Sequence, residues 1–244
     1  MATFVIVHGA FGGGWEWTPV ARALREMGHS VFTPTLTGMG ERSHLGPVFS
    51  LSTHVEDVVA VLEFEDLQQV VLVGASYGGV AVTGAADRVH ERIAMVVYVD
   101  ALVPRDGQSG VDLLPEAFGD VVRSAADETG HGWVSIPPSI LPPEELIPAD
   151  DRARYIARLR PQPVATFTEP LHLTGAVEHL QRCFVRCTLG GIDVGGDPIA
   201  SSAAYARAEG WPYRDLRAPH DPQLFDPDET AAVLSELASA VGFR

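Results

Sequence analysis

Lysine is missing from all 244 residues; the 17 basic side chains are arginines throughout. That excludes Schiff-base chemistry through a lysine and any lysine general base. Cysteine is nearly absent as well, with only Cys183 and Cys187, both in one strand-like segment. An extended chain holds residues four apart at about 13 Å, whereas a disulfide needs Cα atoms within about 7 Å. No further ligands at zinc spacing accompany the pair, so both read as core thiols and no metal site is expected. The sequence has no apolar run of about 18 residues, so no transmembrane helix is expected. Residues 1–7 lack a basic stretch and pass straight into a strand pattern, so no signal peptide is read and a cytoplasmic location is the expectation. A net charge of −15, spread along the chain, argues against nucleic acid or an anionic membrane as partner. With no repeat and no low-complexity tract, the length fits one large domain or a domain carrying an insertion.

What is present alternates. Strand patterns at Phe4–Val7, Val31–Leu36, Gln69–Val73 and Ile93–Val99 are separated by helix patterns, which predicts an α/β fold with a mostly parallel sheet and helices on both faces. Thr18 as N-cap with Pro19 behind it opens one helix, whose stripe is Val20, Ala23, Leu24 and Met27. Thr53 with Glu56 has capping-box spacing and predicts the start of another. The pattern changes over about 104–180, where residues 136–148 hold five prolines and helical stretches such as 152–160 have no strand between them. This region is expected to be a cap inserted between core segments 1–103 and 181–244. Cys183–Cys187 and Tyr213–Leu216 resume the sheet, and a closing helix follows Asp226 with Val233, Leu234, Leu237 and Val241 inward.

The chemistry is carried by Gly74-Ala75-Ser76-Tyr77-Gly78, set between a strand and a helix. A serine in so sharp a turn takes strained backbone angles, needs small residues two positions either side, and has its hydroxyl pushed out of the sheet at the positive end of the next helix. Ser76 is therefore the candidate nucleophile. A serine hydroxyl needs a base to take its proton. Of nine histidines only His220 lies between the last strand and the closing helix, where the chain order serine, acid, histidine places the base. His29, His44, His54 and His90 fit surface or capping roles; His131, His172 and His179 fall in the cap.

The third member stays open between residues. Asp100 ends an otherwise apolar strand, where a carboxylate is costly unless paired and where parallel sheets bind ligands. It is favoured over Asp193, in the loop after the penultimate strand, and over Asp197, which reads as a turn residue beside Pro198. An oxyanion formed at Ser76 needs fixed N–H donors. The Tyr77 amide is one, and the loop His8-Gly9-Ala10-Phe11-Gly12-Gly13 supplies the other, Ala10 first and Phe11 next. That loop lacks both Gly-Lys-Ser/Thr and the spacing of a dinucleotide site, so nucleotide binding is not expected.

Together these residues resemble the α/β-hydrolase fold, and within it the plant methylesterase and hydroxynitrile lyase family with its bacterial esterase relatives. The resemblance runs over nearly the whole chain. It is carried by Val7-His8-Gly9-Ala10 with Gly13-Gly14-Trp15 and Trp17, by the serine turn, and by Pro34 to Leu45, which is similar to the bacterial branch of pyrethroid and carbamate hydrolases. Ser76, His220, Ala10 and Tyr77 fall on that family's nucleophile, base and oxyanion donors. Two departures matter. Hydroxynitrile lyases of this family carry a lysine after the histidine, where this chain has Asp221, which argues against cyanohydrin cleavage. In the plant branch the acid follows the penultimate strand, so Asp100 in that role is unlike it.

The resemblance implies hydrolysis of a carboxylic or carbamate ester of a small apolar substrate through an acyl-enzyme, with no metal or organic cofactor. The pocket is expected from Phe11, Trp15, Trp133, Ile140 and Leu141. A slowly turning-over ligand receptor of the same fold and an acyltransferase remain alternatives, and a homo-oligomer is compatible with the sequence.

Overall fold

The computed structural model describes residues 1–46, 49–129, 132–142, 144–190 and 195–240, with the backbone alone at 125–129 and 139. In chain order the regular elements are β1 Thr3–Val7, α1 Thr18–Glu26, β2 Ser30–Phe32, α2 Leu51–Phe64, β3 Val70–Ala75, α3 Gly78–Arg88 and β4 Ile93–Val99. Then come α4 Glu116–Thr129, β5 Trp133–Val134, α5 Ala149–Ile156, β6 Gln162–Pro163 and α6 Val164–Thr168. The chain ends with β7 Gln181–Cys187, α7 Ala200–Ala208, β8 Tyr213–Leu216, α8 Pro222–Phe225 and α9 Pro227–Ala240.

Six strands form one sheet in the order β2-β1-β3-β4-β7-β8, every pairing parallel. Because successive side chains point to opposite faces, β1 sends Phe4 and Ile6 into one core with α1 and α9, and Val5 and Val7 into the other with α2 and α3. Both faces are covered, and so β1, β3 and β4 read as unbroken apolar runs rather than alternating ones. Cys183 and Cys187 are free thiols buried on the α1/α9 side. Among the described residues no helix is long and apolar enough to cross a membrane.

Several local expectations fail: Thr18 is the first residue of α1, with Trp17 as its N-cap, and Met27 lies past the helix end and is exposed, while Val241 lies outside the described residues. The second strand stops at Phe32 instead of running to Leu36. Pro34 interrupts it, and beyond that point the Leu36 N–H donates to His8 Nε2 at 3.1 Å and the Thr37 N–H to Asp57 Oδ2 at 2.6 Å. The Thr53/Glu56 box does not open α2, which starts at Leu51 with Ser50 ahead of it. The exposed first turn is held by the Ser52 N–H donating to Glu169 Oε2 at 2.7 Å, while Glu56 pairs with Arg88 at 2.8 Å. The 104–180 segment does contain strand: β5 and β6 pair antiparallel, Trp133 opposite Pro163. Its 152–160 helix begins earlier, at Ala149, and ends at Ile156. The return from this segment to the core is fixed by Asp87 of α3. Its buried carboxylate accepts from Thr174 N, Thr174 Oγ1, Gly175 N and Val177 N at 2.6–3.1 Å.

Candidate active site

Ser76 sits between β3 and α3 at φ 50°, the left-handed region. Packing enforces the turn. A side chain at position 78 would place its Cβ 2.5 Å from the Val7 carbonyl oxygen, and one at position 74 would place it 2.5 Å from Val82. The strained residue is held from both sides: its N–H donates to the Val99 carbonyl at 3.2 Å, and its own carbonyl accepts from the Leu102 N–H at 3.0 Å. The first loop comes close enough that a Cβ at position 9 would lie 3.1 Å from Ser76 Cβ.

Asp100, one residue past β4, also has positive φ, 43°. It is 3% exposed, and each of its oxygens has an assigned partner. Oδ2 accepts from His220 Nδ1 at 2.7 Å; Oδ1 accepts from Arg186 Nη1 at 2.8 Å and from the Cys187 N–H at 3.1 Å. Arg186 in turn pairs with Asp197. A carboxylate accepts only, so Nδ1 carries the imidazole hydrogen and Nε2 keeps its lone pair. Burial disfavours the imidazolium, but the hydrogen bond and charge of Asp100, with Asp221 adding, outweigh it and hold the His220 pKa above its ordinary value. Asp193 lies outside the described residues, as does His131. Asp197 is the turn residue anticipated, accepting from the Ile199 N–H at 2.9 Å.

Ser76 and His220 line one cavity with Gly9, Ala10, Phe11 and Tyr77. Among the described residues the Ser76 hydroxyl makes no hydrogen bond; contacts of this kind are commonly long in ligand-free enzymes and tighten in the complex. The Ala10 and Tyr77 amides are likewise unengaged among the described residues. Phe11 is not: its N–H donates to Gln162 Oε1 at 3.0 Å, its carbonyl accepts from the Arg160 N–H at 2.8 Å, and its φ is 65°. The geometry thus removes Phe11 from the available donors and gives its backbone to the 104–180 segment.

The cavity walls are apolar, from Leu102, Leu114, Phe118, Ile140, Phe167 and Ile199, with Phe11. Of the four pocket residues expected from sequence besides Phe11, only Ile140 is there. Trp15 packs against Tyr155, ring centroids 5.6 Å apart, with the Arg158 guanidinium over its ring. Trp133 is in the small β5/β6 sheet, and Leu141 packs against the core. One end of the cavity is polar, made by Glu16, Tyr155, Asp221 and Gln223.

Sequence reasoning missed two buried histidines beside the site. His8 donates from Nδ1 to the Gly9 carbonyl at 2.7 Å and accepts the Leu36 N–H at Nε2, bracing the first loop. His54, expected at a surface or cap, is fully buried in α2; its Nε2 donates to the Thr37 carbonyl and its Nδ1 accepts from the Tyr77 hydroxyl, both at 2.9 Å. Burial drives both pKa values down to about 4, so both rings are neutral and structural at physiological pH. The signal available for His54 was its place among Val55, Val58 and Leu62 on the inward stripe.

The turn at Ser76, the sheet order and the histidine after β8 define a hydrolase architecture. The alpha/beta hydrolase family model matches residues 4–233. A carbendazim hydrolyzing esterase of Nocardioides sp. is 38% identical over 250 residues, covering 97% of this chain and 100% of that one. Methylesterase 18 of Arabidopsis thaliana is 31% identical over 197 residues, covering 72% of this chain and 73% of its own. An extracellular alpha/beta-hydrolase from a Paenibacillus species superposes with a TM-score of 0.86 at 21% identity, covering 97% and 98% of the two chains. The chain belongs to the alpha/beta hydrolase family. Within it, this is an enzyme of the carboxylesterase type.

Proposed function

We propose that the protein hydrolyses a carboxylic or carbamate ester of a small, largely apolar substrate through an acyl-enzyme on Ser76. The observation that carries this reading is the 2.7 Å contact between His220 Nδ1 and Asp100 Oδ2. It fixes the tautomer in which Nε2 can accept a proton, on a ring that borders the same cavity as the Ser76 hydroxyl.

In this mechanism His220 takes the Ser76 proton as the hydroxyl oxygen attacks the ester carbonyl. The Asp100 carboxylate stabilises the imidazolium without becoming protonated. The Ala10 and Tyr77 N–H groups receive the negative charge on the carbonyl oxygen. Collapse of the tetrahedral intermediate breaks the bond to the leaving alcohol, which takes the proton from His220. Water then repeats the sequence at the acyl-enzyme, giving the acid and restoring the serine. The 104–180 segment acts as a cap: Phe118, Ile140 and Phe167 come from it and close the apolar wall over Ser76. The carbamate option is supported by the 38% identical relative, whose name describes it as an esterase hydrolysing carbendazim.

The test is p-nitrophenyl acetate turnover together with intact-mass analysis after a fluorophosphonate. Steady turnover and a single adduct on the wild type are expected, with both lost in Ser76→Ala at unchanged melting temperature. Labelling without sustained turnover would instead indicate a slow ligand receptor, and turnover surviving in Ser76→Ala would end the acyl-enzyme mechanism.

A further inference from the structure

The cavity is apolar along its walls, yet its polar end is built from acids. Glu16 is 3% exposed, lines the cavity, and its Oε1 has no hydrogen-bond partner. Asp221, the neighbour of His220, lines the same end. Tyr155 Oη donates to Asp221 Oδ1 at 3.5 Å and Gln223 Nε2 donates to the same oxygen at 3.4 Å. Tyr155 is shared between Asp221 and the Glu16 carboxyl, which the Gly13 N–H also meets, while Glu16 Oε1 and the Gln223 carbonyl can still accept. No basic side chain except His220 lines the cavity among the described residues. Burial, then the charge of Asp221, pushes the Glu16 carboxyl well above the usual range. A buried carboxyl with one oxygen left without a donor is destabilising, and what relieves it is an incoming donor.

We infer that Glu16, with Asp221 and Tyr155, forms a subsite for a hydrogen-bearing nitrogen of the substrate, a protonated amine or amidine being the strongest case. This rests on the ester-hydrolase reading and deepens it. The substrate is an ester whose apolar body spans the cavity between Ser76 and the acid cluster and ends in that nitrogen. Charge-assisted hydrogen bonds to a carboxylate are about twice as strong as neutral ones, and an amidine can engage both oxygens at once. Glu16 is then a specificity residue: it touches substrate away from the reacting carbonyl.

The experiment compares kcat/KM within two matched pairs. One pair carries the amine on the acyl side, p-nitrophenyl 4-(aminomethyl)benzoate against p-nitrophenyl 4-ethylbenzoate. The other carries it on the alcohol side, 4-(aminomethyl)phenyl acetate against 4-ethylphenyl acetate. We expect the amine to be preferred about tenfold or more in at least one pair, the range a charge-assisted hydrogen bond provides, and Glu16→Gln to bring the ratio near one. Where the esters are turned over, a preference absent from both pairs, or retained in Glu16→Gln, overturns the inference. Circular dichroism checks that Glu16→Gln is folded; should it not be, Tyr155→Phe takes its place, with a reduced amine preference expected and an unchanged one counting against the subsite. Calorimetric titration of the wild-type protein with benzamidine separates this idea from the one beneath it. Saturable binding that weakens at least fivefold in the variant, with no ester turned over, upholds the subsite and sinks the hydrolase reading. Ester turnover without benzamidine binding or amine preference does the reverse.

Discussion

Asp100→Asn is the substitution in which the structure and the mechanism make the most specific joint demand. Asp100 Oδ1 receives two groups that can only donate, Arg186 Nη1 at 2.8 Å and the Cys187 N–H at 3.1 Å. In the variant that position must therefore keep the amide oxygen. The amide NH₂ is then forced onto the side facing His220 Nδ1, where Oδ2 stood at 2.7 Å. A donor there requires Nδ1 to accept, so the imidazole hydrogen moves to Nε2 and the ring can no longer take the Ser76 proton. The wrong-tautomer effect in serine hydrolases is about 10⁴ in kcat, which corresponds to about 5.4 kcal/mol at 1.36 kcal/mol per decade. Geometry should survive, since Arg186 keeps both an oxygen at position 100 and its partner Asp197. The assay is initial rates on p-nitrophenyl acetate from pH 6 to 9, with Ser76→Ala as background and Asp193→Asn as comparator. Asp193→Asn is expected to stay near the wild type. An Asp100→Asn enzyme within tenfold of the wild type would refute the tautomer argument, and a large loss in Asp193→Asn would transfer the role to that residue.

Three further outcomes are expected. The His220 pKa is raised, and the base must be neutral to act, so kcat/KM should fall as pH drops through a midpoint above about 6.5, the ordinary histidine value; an acid limb centred below it would contradict the Asp100 contact. Gln162→Ala strands the Phe11 N–H and should cost about 1–3 kcal/mol in urea unfolding, together with a fall in kcat if that loop carries the Ala10 donor. Burial of Asp87 is outweighed by its four hydrogen bonds, so its folded pKa lies below the unfolded one, and its contribution is complete above about pH 3.9 and lost as pH falls through the lower folded value. Asp87→Asn should lower stability at pH 7 by about 1–3 kcal/mol and flatten the fall in melting temperature on acidification, and thermal melts from pH 7 to 3 would show otherwise if the two curves run parallel.

What could be read in the sequence was whatever local sterics or chain order dictate. Gly74 and Gly78 announce the serine turn because neighbouring backbone and side chains leave no room for a Cβ there, and His220 is singled out by following the last strand. That Asp100 is paired was legible because a carboxylate closing the run Met95–Val99 needs a partner. The pocket was not legible in the same way. Trp15, Trp133 and Leu141 are large and apolar, but whether such a residue faces a cavity or the core depends on how the 104–180 segment folds back, which no local period encodes. Phe11 was misjudged for a related reason: its N–H is taken by Gln162, 151 residues away. Glu16 and Asp221 become neighbours of one cavity only when the first loop meets the loop after β8. The Thr53/Glu56 box had the right spacing and lost to tertiary contacts, with Glu169 and Arg88 taking the roles that a local cap would have filled.

Phe11, Ser76 and Asp100 are all non-glycine residues at positive φ, and each follows the carboxyl end of one of the adjacent strands β1, β3 and β4. Such a conformation costs of order 1–3 kcal/mol and persists only where the surroundings over-determine it. Each residue here is held by a hydrogen bond from elsewhere in the fold. Val99 accepts from Ser76, Val185 from Asp100, and Gln162 from Phe11. The first two anchors are the next strands of the sheet, so Ser76 and Asp100 inherit the rigidity of the core. The third belongs to the 104–180 segment, so the loop bearing Ala10 is only as rigid as its docking. Disturbing that docking should therefore reduce kcat by misplacing the proposed Ala10 donor while leaving fluorophosphonate labelling of Ser76 largely intact, because Ser76 and His220, the proposed nucleophile and base, do not depend on it. Equal loss of labelling and turnover in Gln162→Ala would show that all three strained residues are held by one cooperative unit, contrary to this division.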